Sequence, residues 1–327
     1  MTDELDVIGI GNALVDVLSH ESEVFLERHG LAKGTMHLID EARARAIYDA
    51  MGPAVEISGG SAANTIVGVA SFGGGAQYVG KVRNDQLGEV FSHDLRSVGV
   101  RYTTPMATSG PSTGRCLIVV TPDAQRTMNT YLGASTQLGP GDIDPRVVAR
   151  GRILYLEGYL FDPPAAQEAF RVAAGLAHAA GRKVALTLSD PFCVDRHRAA
   201  FLDLVERHVD VLFANEVEIC ALYEANDFDA ALQLVRRHCE IAALTRSERG
   251  SIVVSRGEVH VVGAHPVDAV VDTTGAGDLY ASGFLFGLSR GMDLAACGRL
   301  GSLAAAEVIS HVGARPQAPL ADMAGVL

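Results

Sequence analysis

Lysine is nearly missing from this chain. Among 327 residues only Lys33, Lys81 and Lys183 carry it, and the remainder of the 27 basic residues are arginines. Chemistry that needs a reactive lysine, or a lysine-bearing phosphate loop, therefore has three candidates. The 39 acids outnumber the bases and give a formal net charge of −12. That balance argues against a protein whose main task is gripping nucleic acid or an anionic membrane. Cysteines are few and unpaired by spacing: Cys116, Cys193, Cys220, Cys239 and Cys297 contain no C-x-x-C, so neither a disulfide framework nor a zinc site is expected. The opening stretch MTDELDVIGIG has acids and no basic run, so no signal peptide is expected. The longest uncharged stretch, Ile57 to Gly80, could span a bilayer by length. Gly, Ser, Asn and Thr fill much of it, and it reads as a glycine-rich turn and a buried helix. No membrane partner and a cytoplasmic setting follow as expectations. Internal repeats, low-complexity tracts and long Pro/Ser linkers are absent as well.

What is present is apolar and strongly patterned. Hydrophobic residues make up 48% of the chain, enough for a sizeable core. Short apolar runs at Leu5–Ile10, Ile153–Leu156, Lys183–Leu188, Val211–Ala214 and Ala242–Thr245 read as strands. Helical spacing falls between them, at Pro164–Ala180, Asp195–Arg207, Glu216–Glu224 and Asp229–His238, and two apolar helices close the chain. This alternation predicts an α/β fold, a mostly parallel sheet covered on both faces. Two pieces, near residues 14–40 and 103–133, break the rhythm with hairpin-like alternation, including a turn at Pro122-Asp123-Ala124-Gln125. They predict a small antiparallel sheet serving as a lid. The domain reading is a core of 1–13, 41–102 and 134–327 with a discontinuous lid of 14–40 and 103–133.

Some apparent motifs fail. Gly9-Ile10-Gly11 follows a strand, but a dinucleotide fingerprint would need its third glycine at Leu14. Gly75 to Lys81 spells a phosphate loop until Val82 takes the place of the required Ser or Thr. The segment Asp272-Thr273-Thr274-Gly275-Ala276-Gly277-Asp278 is more informative. The small residues Gly275, Ala276 and Gly277 precede a long apolar helix, so their amides can converge on an anion. Asp278 then lies in the first turn, either as an ordinary N-terminal helix acid or as a general base beside an anion hole. Asn215 and Glu218 share one helix face after a strand. They fit a capping box or a pair of oxygen donors for Mg²⁺ or its waters. The turn Thr245–Gly250 can cradle phosphates or simply turn the chain. Asp16, in an apolar run, and Asn64, at a helix start, both need polar partners.

Together these segments resemble a known family. Gly59-Gly60-Ser61-Ala62-Ala63-Asn64, running on through Val79–Gly88, and Asp272–Asp278 are similar to the two signatures of the ribokinase-like (PfkB) carbohydrate and nucleoside kinases. Asn12…Asp16, the N-x-x-E tetrad at Asn215–Glu218 and the Thr245–Gly250 turn match in order and spacing, so the likeness spans essentially the whole chain. The resemblance implies a three-layer α/β/α sandwich with a β lid and an ATP-dependent kinase. Asp278 would be the base that activates a primary hydroxyl, and Gly275, Ala276 and Gly277 the anion hole. Asn12, Asp16, Gly59, Gly60 and Asn64 would hold the sugar. Asn215 and Glu218 would organise Mg²⁺ and the ATP phosphates, with Thr245, Ser247 and Gly250 bordering the nucleotide. Asp272 and Thr274 fall where relatives ligate a monovalent cation, often K⁺. Pairing of two copies through the lid occurs in some relatives.

Within the family, three segments look like the adenosine kinase branch: Arg126 in the lid hairpin, expected near the phosphates; Tyr159, an aromatic for stacking a base; and Leu188-Ser189-Asp190-Pro191-Phe192. Two positions depart from it. Thr274 stands where Asn is usual, and Ser247 replaces the first glycine of T-x-G-x-x-G. The resemblance thus implies phosphorylation of a nucleoside, adenosine first, at the 5′-hydroxyl. A kinase of free ribose or fructose is the alternative, and a non-catalytic binding regulator is the alternative of another class. The latter has no need of a base beside an anion hole.

Overall fold

The computed structural model describes residues 4–123 and 125–325. Met1–Asp3 of the acidic N-terminal stretch and Ala124 of the expected lid turn lie outside the described residues. The chain opens with β1 (Leu5–Ile10), β2 (Leu14–His20), α1 (Glu23–His29), β3 (Met36–Leu38), α2 (Glu41–Ala50) and β4 (Ala54–Gly59). Next come α3 (Ser61–Ser71), β5 (Ala76–Val79), α4 (Gln86–Ser97), β6 (Arg101–Tyr102), β7 (Gly114–Val120) and β8 (Arg126–Tyr131). The middle holds α5 (Pro145–Val148), β9 (Gly151–Glu157), α6 (Pro164–Ala179), β10 (Lys183–Thr187), α7 (Pro191–His208), β11 (Val211–Asn215), α8 (Glu216–Tyr223) and α9 (Phe228–Val235). The chain ends with β12 (Ile241–Thr245), β13 (Ser251–Ser255), β14 (Val259–Val262), α10 (Ala276–Ser289), α11 (Leu294–Ile309) and α12 (Leu320–Ala324).

Nine strands form one sheet in the order β14-β13-β12-β11-β10-β9-β1-β5-β6. It is parallel from β12 to β6, and β13 and β14 join antiparallel. Strand residues feed two cores alternately. Leu154, Leu156, Leu212 and Ala214 pack with Phe170 of α6 and Phe201 of α7 on one face. Ile153, Tyr155, Val211 and Phe213 pack with Ile66 of α3 and Phe284 of α10 on the other. A strand buried on both faces needs an unbroken apolar run, which is why β1 is buried along its whole length. The three-layer α/β/α sandwich stands as expected.

The second sheet, in the order β3-β8-β7-β2-β4, covers the carboxyl side of the first. Its make-up corrects the sequence reading in two places. Residues 54–59, assigned to the core within 41–102, form β4 and pair antiparallel with β2. An edge strand with Val55 and Ile57 exposed has none of the burial pattern that marks a core strand. Nor is the lid wholly antiparallel, because β2 runs parallel to β7 and β3 parallel to β8. Helix α7 starts at Pro191, ahead of the expected Asp195, because Asp190 caps it through Phe192 N (2.7 Å) with Pro at its first position.

Candidate active site

Asn12, Glu157, Thr187, Asn215 and Thr245 stand at or just past the carboxyl ends of β1, β9, β10, β11 and β12, and all five line one cavity of about 690 Å³. Open α/β sheets bind ligands at this edge, where strand order reverses about the first strand, and the volume is that of a small-molecule site. The lid closes the other side of the cavity with Leu14, Cys116, Ile118 and Met128.

Two helix N-termini meet in its floor. Gly275 adopts φ +80°, a conformation that costs a residue with a Cβ, and a Cβ there would sit 2.8 Å from Ala314. This turn delivers Asp278 into the first turn of α10. Its carboxylate caps nothing within its own helix. Instead it accepts from Ser61 Oγ at 2.6 Å and from Asn64 Nδ2 at 3.0 Å, both in the first turns of α3. Burial raises the Asp278 pKa above the ordinary value, against those two hydrogen bonds, which lower it. A half-buried, oriented and more basic carboxylate at a cavity floor is what proton abstraction needs. At the same turn the Ala276 amide donates to Thr273 O (3.2 Å). The amides of Gly277 and Asp278, which lie in the first turn and have no intrahelical partner, are therefore the first-turn donors for an anion.

Asp16 lies half-buried against Gly59, where any Cβ would overlap its carboxylate. Burial pushes its pKa up to about 6, and the charges of Arg315 and Arg126 hold it from rising further. Glu157 accepts from Asn12 N (3.1 Å), Asn12 Nδ2 (2.8 Å) and Ala62 N (2.7 Å). It thereby fixes Asn12 and the start of α3, while burial pushes its own pKa up to about 7.

On the opposite side Asn215 and Glu218 form the capping box that is the simpler reading of their spacing. Glu218 N donates to Asn215 Oδ1 (2.9 Å), and Asn215 N and Nδ2 donate to the Glu218 carboxylate (3.0 and 2.7 Å). Burial pushes Glu218 up to about 7. Its oxygens keep further lone pairs on the cavity wall, and a buried carboxylate short of positive charge fits a hard cation held through water. Thr245 lines the cavity. Ser247 holds φ +51°, the left-handed conformation that explains why glycine is usual there in the family it resembles. Arg246 and Arg249 both pair with Glu216.

Arg126 does not reach the cavity wall. Its guanidinium pairs with the Asp272 carboxylate and donates to Thr274 Oγ1 (2.9 Å). The other Asp272 oxygen accepts from Thr274 N (3.0 Å) and Oγ1 (2.6 Å), and Gly313 N adds a further bond (3.0 Å). Burial pulls the Asp272 pKa up, but these hydrogen bonds and Arg126 outweigh it and hold the group below its ordinary value. Asp272 and Thr274 as arranged do not fit a monovalent cation, because a positive group already sits on them.

Of the expected residues, Asn12, Asp16, Gly60, Asn64, Tyr159, Asn215, Glu218, Thr245, Thr274, Gly275, Ala276, Gly277 and Asp278 line the cavity together. Gly59, Arg126, Ser247, Gly250 and Asp272 do not line it. Sequence reasoning missed Ser61 and Glu157 as site groups, and Arg315 behind them. Glu157 had a usable signal, a carboxylate at the end of a buried parallel strand. All three lysines are paired away from the cavity, Lys33 with Asp123, Lys81 with Asp142 and Lys183 with Glu240.

Comparison with known proteins agrees with this geometry. Residues 50–321 match the pfkB family carbohydrate kinase model. The solved structure of an adenosine kinase from Sinorhizobium meliloti is 53% identical, with a TM-score of 0.91 and 99% of each chain covered. A protein from Rhizobium etli described as a probable sugar kinase is 49% identical, with a TM-score of 0.92, covering 100% of this chain and 99% of that one. The adenosine kinase of Saccharomyces cerevisiae is 27% identical over 329 residues, 94% of this chain and 95% of that protein.

Proposed function

The chain belongs to the pfkB family of carbohydrate kinases and is an ATP-dependent kinase, and on that premise we propose that its acceptor is a nucleoside, adenosine first, phosphorylated at the ribose 5′-hydroxyl. The apolar half of the cavity supports this most directly. Beyond the polar Asp16–Asn64 floor, its wall carries Met36, Leu38, Tyr159 and Phe192, all large and all partly exposed. A free sugar offers a smaller, hydroxyl-fringed face to cover them, whereas a purine offers a broad flat one. The 53% identical adenosine kinase adds to the case.

The polar residues then divide the work. Asp16 and Asn12 hold the ribose hydroxyls, and Asp278 takes the 5′-proton as the oxygen attacks. The amides at the start of α10 meet the charge on the transferred phosphoryl group. Asn215 and Glu218 would hold Mg²⁺ through water, and the ion, when bound, neutralises phosphate charge. The setting is the cytoplasm, in keeping with five free cysteines. Among the described residues no helix is long and apolar enough to cross a membrane. Pairing of two copies through the lid draws support from exposed Val55 and Ile57 on β4, and sedimentation showing a monomer alone would overturn it.

The decisive measurement is a substrate panel with coupled ADP detection. With ATP and Mg²⁺, kcat/KM for adenosine is expected to exceed that for ribose or fructose by at least about tenfold, the equivalent of roughly 1.4 kcal/mol from burying the base. A preference for a free sugar refutes the nucleoside assignment, and no turnover on any acceptor favours a binding regulator.

A further inference from the structure

Arg315 sits in the segment between α11 and α12, its side chain largely buried (11% exposed) behind the cavity floor. The segment that carries it is pinned at several points. Gln317 N and Ala318 N donate to Glu307 Oε1 (2.8 and 2.9 Å), Leu320 N to Ser71 Oγ (3.0 Å) and Gly313 N to Asp272. A buried guanidinium is costly to desolvate, and here it is only partly compensated. Nη1 lies 3.5 Å from Asp94, whose carboxylate also accepts from Ser58 N and Oγ (2.8 and 2.7 Å), and Nη2 has no partner. Nε donates to Asn64 Oδ1 at 3.3 Å. Asn64 Nδ2 in turn donates to the Asp278 carboxylate.

An arginine can only donate and a carboxylate can only accept, so the carboxamide between them has one permitted orientation. We propose that Arg315 is a positioning residue for phosphoryl transfer, locking the Asn64 amide with its NH₂ toward Asp278 and its oxygen away. The inference rests on the base role given to Asp278. Without Arg315 the amide is free to turn. Its oxygen would then face the carboxylate, repel it and take away the donor that, with Ser61, sets the plane of the base.

The test uses the full-length protein with adenosine, ATP and Mg²⁺. Arg315→Met is expected to lower kcat roughly 10- to 100-fold, the cost of misplacing a reacting group by an ångström or so, while KM for ATP stays within about twofold of its normal value. If Arg315 acts through Asn64, the double variant Arg315→Met/Asn64→Ala has the kcat of Asn64→Ala alone. Losses that multiply in the double variant overturn the proposal. So does a near-normal kcat in Arg315→Met while Asp278→Asn is inactive. Turnover retained in Asp278→Asn is a different result, which removes the base assignment itself. Should the Met variant fail to fold, Arg315→Gln keeps a polar end that can donate or accept and so lets the amide turn, and it is read in the same way.

Discussion

At the residue scale the proposed base is Asp278, and its surroundings say how much it should matter. The carboxylate is half-buried, raised above its ordinary pKa and held by Ser61 and Asn64. Asp278→Asn keeps the shape and removes the proton acceptor, so kcat is expected to fall by about 10²–10⁴-fold. The melting midpoint should hold or rise, because a costly buried charge has gone. Kinetics and a thermal melt on the same preparation check both halves, and near-normal turnover would refute the role. The residues legible in the sequence were those that share a short segment with their neighbours: the glycines and Asp278 in one run, Asn64 three residues past Ser61. Arg315 and Glu157 were not legible, since Arg315 meets Asn64 across 251 residues and Glu157 meets Asn12 across 145. No local pattern reports a contact made only when strands and helices converge.

Lid strand β8 reaches into the loop that opens α10, and there the structure departs most from the expectation. Arg126, a lid residue, lies across Asp272 and Thr274. The cation at this position is thus part of the chain, joined to the lid strand. Exchanging KCl for NaCl or choline chloride at constant ionic strength is accordingly expected to change kcat by less than about twofold, because no site for a free ion is left on Asp272. Arg126→Met should lose activity and gain activation by K⁺, as the freed carboxylate becomes available to an ion. Strong K⁺ activation of the unaltered protein would sink the idea. The main-sheet elements were legible because a strand buried on both faces is a plain apolar run. Strand β4 was not, since its pairing with β2 leaves Val55 and Ile57 exposed, and an edge strand needs no burial pattern to form.

For the whole molecule, an acidic chain that binds ATP has to make its phosphate affinity local. With three lysines engaged elsewhere, it relies on helix-start amides and on the Glu218 carboxylate, which is suited to hold a cation, and the cavity's other acids are kept at a cost in the free protein. Asp16 and Glu157 have folded-state pKa values pushed to about 6 and about 7 from ordinary values of 3.8 and 4.5, burial being the first cause in each. Between those limits the folded state binds more protons than the unfolded chain, so stability is lost as pH rises. Each group is worth at most about 3 kcal/mol of destabilisation once fully ionised. Asp123, lowered to about 2, acts in the opposite sense but only at more acid pH, outside this window. The ligand-free protein should therefore melt at a higher temperature near pH 5.5 than near pH 8. Self-repulsion in a chain of net charge −12 acts in the same direction but is screened by salt. The buried contribution is the part that persists in about 0.5 M NaCl. Asp16→Asn distinguishes it further: that variant should gain several degrees over the unaltered protein at pH 8, gain somewhat less at pH 5.5, and lose its affinity for the acceptor. A melting midpoint that climbs steadily from pH 5.5 to 8 in high salt, or an Asp16→Asn variant destabilised at both, would mean that the cavity carboxylates are compensated by partners the structure does not contain.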